Sequence, residues 1–352
     1  METSLFDYEL PASRIAQRPL ADRAAARMLV LERDRILDAA FTDFPELVPR
    51  GSLVVLNDTR VRNARLLGVR RGSGGRAEVL LLRREGERSG IEETWIALAH
   101  AKRRLEPGAV IDAGRVSVEI VSRGEHGLLR VSVRSDDGVD QALEREGRVP
   151  LPPYIKRPDD SDDRERYQTV FSERPGSSAA PTAGLHFTHA ILDALREREI
   201  QLGVVTLHVG LGTFRPVTVS DLDEHPMHAE EFEVSDELVR RVRECRHRGG
   251  SVVAVGTTVV RALESAQDPA DSRFVRSVRG ETKLLIQPGY VFGPVDALLT
   301  NFHMPRSTLV ALVAAFAGRE RVLAAYRRAI EAGYRFLSYG DAMWIPQRLE
   351  GR

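Results

Sequence analysis

The sequence contains one cysteine, Cys245, in 352 residues. A single thiol excludes an internal disulfide and a zinc site built from several cysteines. Cys245 lies in a segment of helical pattern, where a free cysteine usually behaves as a small apolar side chain. We therefore expect a packed or half-exposed thiol and not a nucleophile.

Long apolar runs are also missing. The longest uncharged run, residues 308–318, is about half as long as a membrane-spanning helix. Residues 1–14 carry acids early and lack the basic start and apolar stretch of a secretory signal. We therefore expect a cytoplasmic protein without membrane contact.

Neither sign of charge is in excess. Lys and Arg together number 51, Asp and Glu together number 51, and the formal net charge is zero. A balanced charge gives no overall signal for nucleic acid, although a local signal remains possible. Because no heptad pattern or exposed apolar stripe is evident either, we expect a monomer.

The order of the apolar runs predicts two kinds of structure. Residues 28–41 are two apolar runs around a charged turn, which is typical of a hairpin. From Gly51 to Val133 the runs are short and β-prone, which favours a small closed or sandwiched β-domain. After the proline-rich segment 149–158, strand-like and helix-like segments alternate, which indicates an α/β layer.

We therefore predict an α/β fold, in which a mixed, largely parallel sheet with helices carries an inserted small β-barrel. The predicted α/β domain is discontinuous, with residues 1–58 and 154–352, and residues 59–153 form the barrel domain. The predicted helix N-caps are Thr188, Ser235 and Ser307. Strand-like segments after the junction are 201–209, 252–255, 282–286, 296–302 and 336–345.

Three histidines, His186, His208 and His303, follow strand-like segments and stand between apolar residues. Because ligands of open α/β sheets bind beyond the carboxyl ends of the strands, we expect the three to share one pocket. As a strand-end residue, His186 should contribute little to the core. The alternative is that each imidazole sits at the edge of the core and donates to a backbone carbonyl.

Three histidines also raise the question of a metal. The segment HPMH (225–228), followed by Glu230 and Glu231, is a second candidate cluster. However, no HExxH motif occurs and no close ligand pair lies on a recognisable helix. We therefore expect no metal, and a solvated loop is the alternative for HPMH.

Two glycine-containing turns favour ligand contact. GLGTF (210–214) lacks the third glycine of a dinucleotide fingerprint but would let the backbone approach a ligand. In VAVGTTVVRALES (253–265), a strand passes through Gly256 into a helix whose free N–H groups suit a carboxylate or phosphate. The alternative for the second is a plain turn capped by Thr257 or Thr258.

Basic residues are concentrated between Thr59 and Arg76, where no acid occurs. The arginines of this run are Arg60, Arg62, Arg65, Arg70, Arg71 and Arg76. Such a run suits the phosphates of RNA, and Lys156 with Arg157 forms a second, smaller candidate. A solvated basic face is the alternative.

Taken together, these stretches resemble the S-adenosylmethionine:tRNA ribosyltransferase-isomerase family of queuosine biosynthesis. The matching segments run in the same order along nearly the whole chain. They are NDTRVRNARLLG (57–68), GGRAEVLLL (74–82), LPPYIKRPD (151–159), RYQTVFSERPGSSAAPTAGLHF (166–187), TLHVGLGTFRPV (206–217), HPMHAE (225–230), AVGTTVVRALES (254–265), TNFHMPRSTLVALVAAFAG (300–318) and YRFLSYGDAM (334–343). Ser177 and Ser178 depart from the Ala-Val that is usual in the family, and the strand before PGY (288–290) reads LLIQ.

The resemblance implies an α/β domain with an inserted β-barrel. It also implies a reaction in which the ribosyl part of S-adenosylmethionine is transferred to 7-aminomethyl-7-deazaguanine at the tRNA wobble position. Rearrangement there gives epoxyqueuosine, with release of adenine and methionine. S-adenosylmethionine is then a consumed substrate, and we expect no cofactor and no metal.

The resemblance also suggests which residues take part. A base near neutral pKa would remove the 5′ proton acidified by the sulfonium, and adenine leaves better when protonated or hydrogen-bonded. The expected catalytic residues are His186, His208, His303, Asp58, Glu231 and Asp341. Those expected to bind S-adenosylmethionine are Thr182, Gly184, Phe187, Gly210, Gly212, Thr213, Phe214, Gly256, Thr257, Thr258, Arg261 and Tyr339. Those expected to bind tRNA are Arg60, Arg62, Arg65, Lys156 and Arg157.

Two further readings of the residues stay open at this point. One is a metallohydrolase with histidine ligands, and the other is a non-catalytic RNA-binding protein whose surface is the arginine-rich β-domain.

Overall fold

The computed structural model of the chain describes residues 1–86, 90–210 and 217–349. Its strands, in chain order, are β1 (Arg27–Leu31), β2 (Ile36–Ala40), β3 (Leu53–Asn57), β4 (Thr59–Val61), β5 (Arg65–Arg70), β6 (Arg76–Glu85), β7 (Glu92–Ala101), β8 (Val110–Ala113), β9 (Val116–Arg123), β10 (Leu129–Arg134), β11 (Arg174–Ser177), β12 (Gln201–Leu207), β13 (Glu230–Val234), β14 (Val252–Val255), β15 (Gln267–Asp268), β16 (Asp271–Val275), β17 (Val278–Thr282), β18 (Ala297–Asn301) and β19 (Ala342–Ile345). The α-helices are α1 (Phe44–Leu47), α2 (Val139–Glu146), α3 (Asp163–Arg166), α4 (His189–Glu197), α5 (Asp236–His247), α6 (Thr257–Ser265), α7 (Thr308–Ala317) and α8 (Arg319–Glu331).

Nine strands form one mixed sheet in the order β17-β13-β12-β3-β14-β18-β19-β1-β2. Its centre is parallel, because β12, β3, β14 and β18 all run the same way. β13 and β17 pair antiparallel at one edge, and β1 with β2 forms the predicted hairpin at the other. The α/β fold class predicted from the sequence is confirmed.

Both faces of this sheet are covered, as a parallel centre requires. Successive residues of β3 alternate between two cores, because side chains alternate along a strand. Leu53 and Val55 belong to one core, and Val54 and Leu56 belong to the other. All five residues of β3 are therefore buried. In the sequence, this strand looks like the short β-prone runs that follow it, but it belongs to the large sheet and not to the barrel.

Six strands close into an antiparallel barrel in the order β10-β7-β6-β5-β8-β9. Trp95 is fully buried in the barrel core. Helix α2 packs Val139, Ala142 and Leu143 against the same core. The chain enters and leaves the barrel side by side, since Arg65 and Arg148 form an antiparallel bridge. The predicted inserted barrel is confirmed as an element of the fold.

Helix starts follow the predicted capping chemistry. The hydroxyl oxygens of Thr188, Ser235 and Ser307 accept backbone N–H groups at the starts of α4, α5 and α7. Each such bond satisfies one of the donors that a helix leaves free at its N-terminus. These three predictions are confirmed.

Two predicted strands are shorter than expected. The first, residues 282–286, contributes only Thr282 to β17, because the Thr282 hydroxyl accepts from Leu284 N at 3.1 Å and turns the chain. The second, residues 336–345, begins at Ala342. Before it, Leu337 adopts a left-handed φ of 71°, and Gly340 N donates to Leu337 O.

Candidate active site

A cavity, the sheet-end cavity, opens at the carboxyl ends of β14 and β18. Its walls come from the turn between β14 and α6, the loop after β18, and the 3-10 turn Thr182–His186 with the residues before it. The space between these walls, counted together with the open solvent at its mouth, is about 660 Å³. Four predicted ligand-binding residues line it: Thr182, Gly256, Thr257 and Thr258.

Gly256 positions one wall of this cavity. Its φ of 95° lies in the left-handed region that favours glycine, and it lets β14 turn directly into α6. The N-terminus of α6 therefore faces the cavity, where the N–H groups and the helix dipole favour an anion. Thr258 is held from behind, because Asn57 Nδ2 donates to its Oγ1 at 3.3 Å.

His303 lines the sheet-end cavity in a neutral form. Its Nε2 lies 2.9 Å from Thr300 Oγ1, and its backbone is held by the hydroxyls of Tyr8 and Tyr326. Burial lowers the pKa of His303 to about 3. The imidazole is therefore an uncharged hydrogen-bonding group at neutral pH, and burial makes it a weak base.

Asn301, which sequence analysis did not single out, lies beside His303 at the end of β18. It is 1% exposed, and its Nδ2 donates to Leu337 O at 3.0 Å. Its Oδ1 is buried and has no hydrogen-bond partner in the part of the chain that the structure describes. A buried, unpaired acceptor is costly, so a ligand donor would be favoured here. A polar residue ending an otherwise apolar strand was the available signal.

His186 lies behind Asn301 and not in the sheet-end cavity. Its Nε2 is 3.4 Å from Asn301 Nδ2, and its ring packs 5.0 Å from Phe41. Burial, together with Arg335 and Arg23, lowers its pKa to about 4. His186 is itself buried, in the turn Thr182–His186, and its small contribution to the core stays a prediction. His186 lines a separate, smaller cavity, the His186 cavity, together with Tyr339.

His208 lies in a third place, the His208 cavity, with Glu231 and Thr206. Its Nδ1 is 2.7 Å from Thr59 Oγ1. Burial, then the nearby charges of three arginines, lowers its pKa to about 4. The ring lies against Gly176, where a Cβ would come within 2.4 Å of His208 Cε1.

The structure does not bring the three histidines into one pocket, and the strand order gives the reason. His208 follows β12 and His303 follows β18, and β3 and β14 lie between these strands. Three strand spacings amount to about 14 Å, too far for one small cavity. The sequence shows that both strands end in histidine but not how far apart the strands lie.

Asp58 lies next to the His208 cavity. Its Oδ1 accepts from Thr206 Oγ1 at 2.7 Å, and its Oδ2 lies 3.6 Å from Arg174 Nε. Burial raises the pKa of the Asp58 carboxyl. Asp58, His208 and Glu231 thus form a second group of predicted catalytic residues at the neighbouring strand ends.

Other predicted residues lie in the interior, away from the sheet-end cavity. The Asp341 carboxylate accepts from Arg27 N at 3.0 Å and Arg335 N at 2.7 Å, so it joins the chain before β19 to β1. Burial raises its pKa. Phe187 is fully buried among Phe41, Phe44 and Phe171, and therefore does not face a ligand.

Gly184 is buried in its 3-10 turn, where a Cβ would come within 2.8 Å of Phe171 and Thr169. Tyr339 donates to Asp163 Oδ1 at 2.8 Å and lines the His186 cavity. Three other predicted ligand-binding residues, Gly212, Thr213 and Phe214, lie outside the described residues.

Arg261 lines a fourth cavity, the Arg261 cavity, which shares Leu309 with the sheet-end cavity. Its Nη1 donates to Glu230 Oε2, and its Nε donates to Leu284 O at 3.0 Å. Glu230 Oε1 in turn accepts from Gly210 N at 2.8 Å. Gly210 therefore contributes by fixing Glu230, a residue that sequence analysis named only as part of a candidate metal cluster.

The predicted RNA contacts divide into exposed and paired residues. Arg60 and Lys156 are exposed, and Arg62 lies 5.3 Å from the Trp95 ring and donates to Pro175 O. Arg65 donates to both oxygens of Glu78, at 2.8 and 3.0 Å. Arg157 donates to both oxygens of Asp163, at 2.6 and 2.8 Å, and Tyr339 donates to the same carboxylate.

Within the described ranges, no group of three or more His, Cys, Asp or Glu side chains is placed to hold a metal ion. The segment HPMH contributes His225, Met227 and His228 to the Arg261 cavity. Among the same residues, no helix is both long and apolar enough to cross a membrane.

Comparison with known proteins identifies the family. A family model described as "Queuosine biosynthesis protein" matches residues 3–345. The chain belongs to the queuosine biosynthesis protein family. This family member is 51% identical to the S-adenosylmethionine:tRNA ribosyltransferase-isomerase of Sorangium cellulosum, over 98% of each chain. It is 48% identical to the enzyme of the same name from Anaeromyxobacter dehalogenans strain 2CP-1, over 99% of this chain and 100% of the other.

A solved structure supports the fold of this family member. The crystal structure of an S-adenosylmethionine tRNA ribosyltransferase from Thermotoga maritima superimposes with a TM-score of 0.54 at 36% identity. The match covers 97% of this chain and 100% of that chain. The resemblance drawn from the sequence motifs is thereby confirmed.

Proposed function

We propose that the chain transfers and isomerises the ribosyl moiety of S-adenosylmethionine onto 7-aminomethyl-7-deazaguanine at the tRNA wobble position. The products are epoxyqueuosine in tRNA, adenine and methionine. The observation that carries this proposal is the similarity to enzymes named for the reaction, which extends over 98% of both chains. S-adenosylmethionine is the consumed substrate in this scheme, and the proposal includes no resident cofactor or metal.

The sheet-end cavity is the proposed site of the nucleoside part of S-adenosylmethionine. Of the six predicted catalytic residues, His303 is the one that lines this cavity. A neutral imidazole suits hydrogen bonding to the departing adenine, whereas its lowered pKa makes it a weak base for removal of the 5′ proton. His186 would act through Asn301, whose Nδ2 lies 3.4 Å from His186 Nε2 and which lines the sheet-end cavity with His303.

Asp58, His208 and Glu231 are proposed to act on the deazaguanine side. Asp58 has a raised pKa, so it can hold or release a proton nearer to neutral pH than an exposed carboxyl. The opening of the His208 cavity is also flanked by Arg174 and Arg279, which suit the phosphates next to the modified base. Arg60, Arg62 and Lys156 are the proposed outer RNA contacts.

The same proposal covers the organisation of the chain. Residues 1–58 and 154–352 would form the discontinuous α/β domain, and residues 59–153 the inserted barrel domain. Barrel strands run from Arg65 to Arg134, in support of this division. A monomer acting in the cytoplasm is the proposed working form.

Turnover tests the proposed function directly. Purified protein is incubated with S-adenosylmethionine and a tRNA that carries the aminomethyl deazaguanine, and the same tRNA with guanine at that position is the control. We expect adenine release and a mass-shifted nucleoside in the first sample alone. Salt-sensitive tRNA binding without either product would instead support a non-catalytic RNA-binding protein.

A further inference from the structure

The ion pair between Arg261 and Glu230 is buried next to the sheet-end cavity. Arg261 is 6% exposed and Glu230 is 5% exposed. Removing two charges from water costs nearly as much as their attraction returns, so a buried pair adds little to stability. A role in ligand binding is therefore a better reason for this arrangement than a contribution to folding.

The hydrogen bonds of Arg261 leave one of its three nitrogens without a partner among the described residues. Its Nε and Nη1 are bound to Leu284 O and Glu230 Oε2, which fix the plane of the guanidinium. Its Nη2 is buried and has no partner within residues 1–86, 90–210 and 217–349. A buried N–H of a charged group is costly when unpaired, and a carboxylate is the strongest acceptor for it.

The walls of the Arg261 cavity are apolar next to this pair. They include Leu284, Leu285, Ile286 and Leu312. A short aliphatic chain that ends in charged groups fits such a surface, because its methylenes contact the leucines while its charges reach the ion pair. Leu309 lines both this cavity and the sheet-end cavity, so the two cavities are adjacent.

We propose that the Arg261 cavity binds the amino-acid end of S-adenosylmethionine as a zwitterion. Arg261 Nη2 donates to the α-carboxylate, and the Glu230 carboxylate accepts from the α-ammonium group. The nucleoside occupies the sheet-end cavity, and the sulfonium lies where the two cavities meet. Glu230 thereby becomes the residue that selects for the ammonium group. This inference rests on the proposed function, because it takes S-adenosylmethionine as the ligand.

Calorimetric titration of the full chain with three ligands tests the proposal. The ligands are S-adenosylmethionine, its decarboxylated form, which keeps the ammonium, and its 2-oxo form, which keeps the carboxylate. Each charged hydrogen bond that is lost should weaken binding about tenfold or more. We expect the wild-type protein to prefer the intact ligand over both truncated forms by at least that factor.

Two variants separate the two contacts. Arg261→Lys keeps the pairing charge for Glu230 but removes the fork that carries Nη2, and it should lose the preference over the decarboxylated form alone. Glu230→Gln keeps an acceptor for Gly210 N but loses the charge, and it should lose the preference over the 2-oxo form alone. Asp296→Asn is the matched control, since it breaks the Arg246–Asp296 pair outside the two cavities and should keep both preferences.

Several outcomes would overturn the proposal. One is a Glu230→Gln variant that binds all three ligands more weakly by the same factor, as a purely structural residue would. Another is a wild-type protein that does not discriminate among the three ligands. If Glu230→Gln does not fold, the wild-type series and Arg261→Lys still decide. Binding is measured without tRNA, so the absence of turnover would count against the proposed function and not against this site.

Discussion

Glu264, near the end of α6, is a carboxyl whose burial opposes its charge. Its Oε2 accepts from Gln267 Nε2 at 2.6 Å, Tyr290 OH at 3.2 Å and Gly293 N at 3.1 Å. Burial nevertheless dominates and raises the pKa of Glu264 to about 7. Below the pKa of Glu264 in the unfolded chain, the carboxyl is protonated in both the folded and the unfolded state, so it does not reduce the free energy of unfolding. As pH rises to 7 the folded state is increasingly disfavoured.

We therefore predict that Glu264→Gln stabilises the protein at pH 8 by up to ~3 kcal/mol and has little effect near pH 4.5. Chemical denaturation at the two pH values measures the difference in the free energy of unfolding. Glu320→Gln, at an exposed position, is the control and should be neutral at both. An equal effect of Glu264→Gln at both pH values would show that folding does not raise the pKa of the Glu264 carboxyl.

A second prediction at this scale concerns His303. If its neutral imidazole moves a proton in the sheet-end cavity, His303→Gln should lower kcat about 10²–10⁴-fold and change KM far less. Thr300→Val removes only the partner of Nε2 and should cost much less. Steady-state kinetics of adenine release provides both values. An unchanged kcat in His303→Gln would assign the residue to packing.

The arginines between Thr59 and Arg76 show that ion pairing cannot be read from the sequence alone. The segment from Thr59 to Arg76 contains no acid, yet Arg65 pairs with Glu78, and Arg71 pairs with Asp112 at 2.5 and 2.9 Å. The barrel brings these acids from neighbouring strands, and a linear charge count cannot include them. Sequence analysis therefore finds the basic run but not which of its members keep an unpaired charge.

At the scale of elements, the run divides into Arg60, which is exposed on β4, with the half-buried Arg62 after it, and arginines paired with acids of the barrel. We predict that Arg60→Ala together with Arg62→Ala weakens tRNA binding and reduces the slope of log K against log salt by about 1–2, because each phosphate contact contributes ~0.7–0.9. Binding titrations over a range of salt concentrations measure the slope. Arg71→Ala is the matched control and should leave it unchanged, because Asp112 already neutralises Arg71. A slope unchanged in the double variant would remove this strand from the RNA surface.

Local chemistry made several elements predictable. Serine and threonine caps identify the starts of α4, α5 and α7, since those side chains satisfy the same donors in any fold. The contents of the cavities were less predictable. His208 and His303 end strands that are similar in sequence but lie three positions apart in the sheet. Strand order depends on long-range pairing, which short motifs do not encode.

At the scale of the whole molecule, the sheet edge and the barrel meet near the His208 cavity. The Arg83 side chain of the barrel lies 3.4 Å from Glu281, and β4 pairs with β11 on the way into the barrel. Such contacts align the two parts around the proposed RNA site. The sequence predicted that a barrel is inserted, but this junction depends on side chains more than a hundred residues apart.

Acid stability tests the buried histidines together. The pKa is lowered to about 4 in His186 and His208 and to about 3 in His303, so these rings stay neutral in the fold after the unfolded chain has gained protons. Their contribution to stability is complete above pH 6.5 and is lost as pH falls towards 4. At pH 5 each ring should therefore lower the free energy of unfolding by up to ~2 kcal/mol relative to pH 7.

Glu264 acts in the opposite direction over the same interval, because it regains its proton in the fold as pH falls below 7. We therefore predict that the free energy of unfolding decreases between pH 7 and pH 5, and that the decrease is steeper in Glu264→Gln than in the wild-type protein. Urea denaturation of both proteins at these two pH values measures the slopes. Equal slopes would mean that Glu264 does not offset the loss of stability that the histidines cause. A wild-type protein that is more stable at pH 5 than at pH 7 would show that the three imidazoles are charged in the fold.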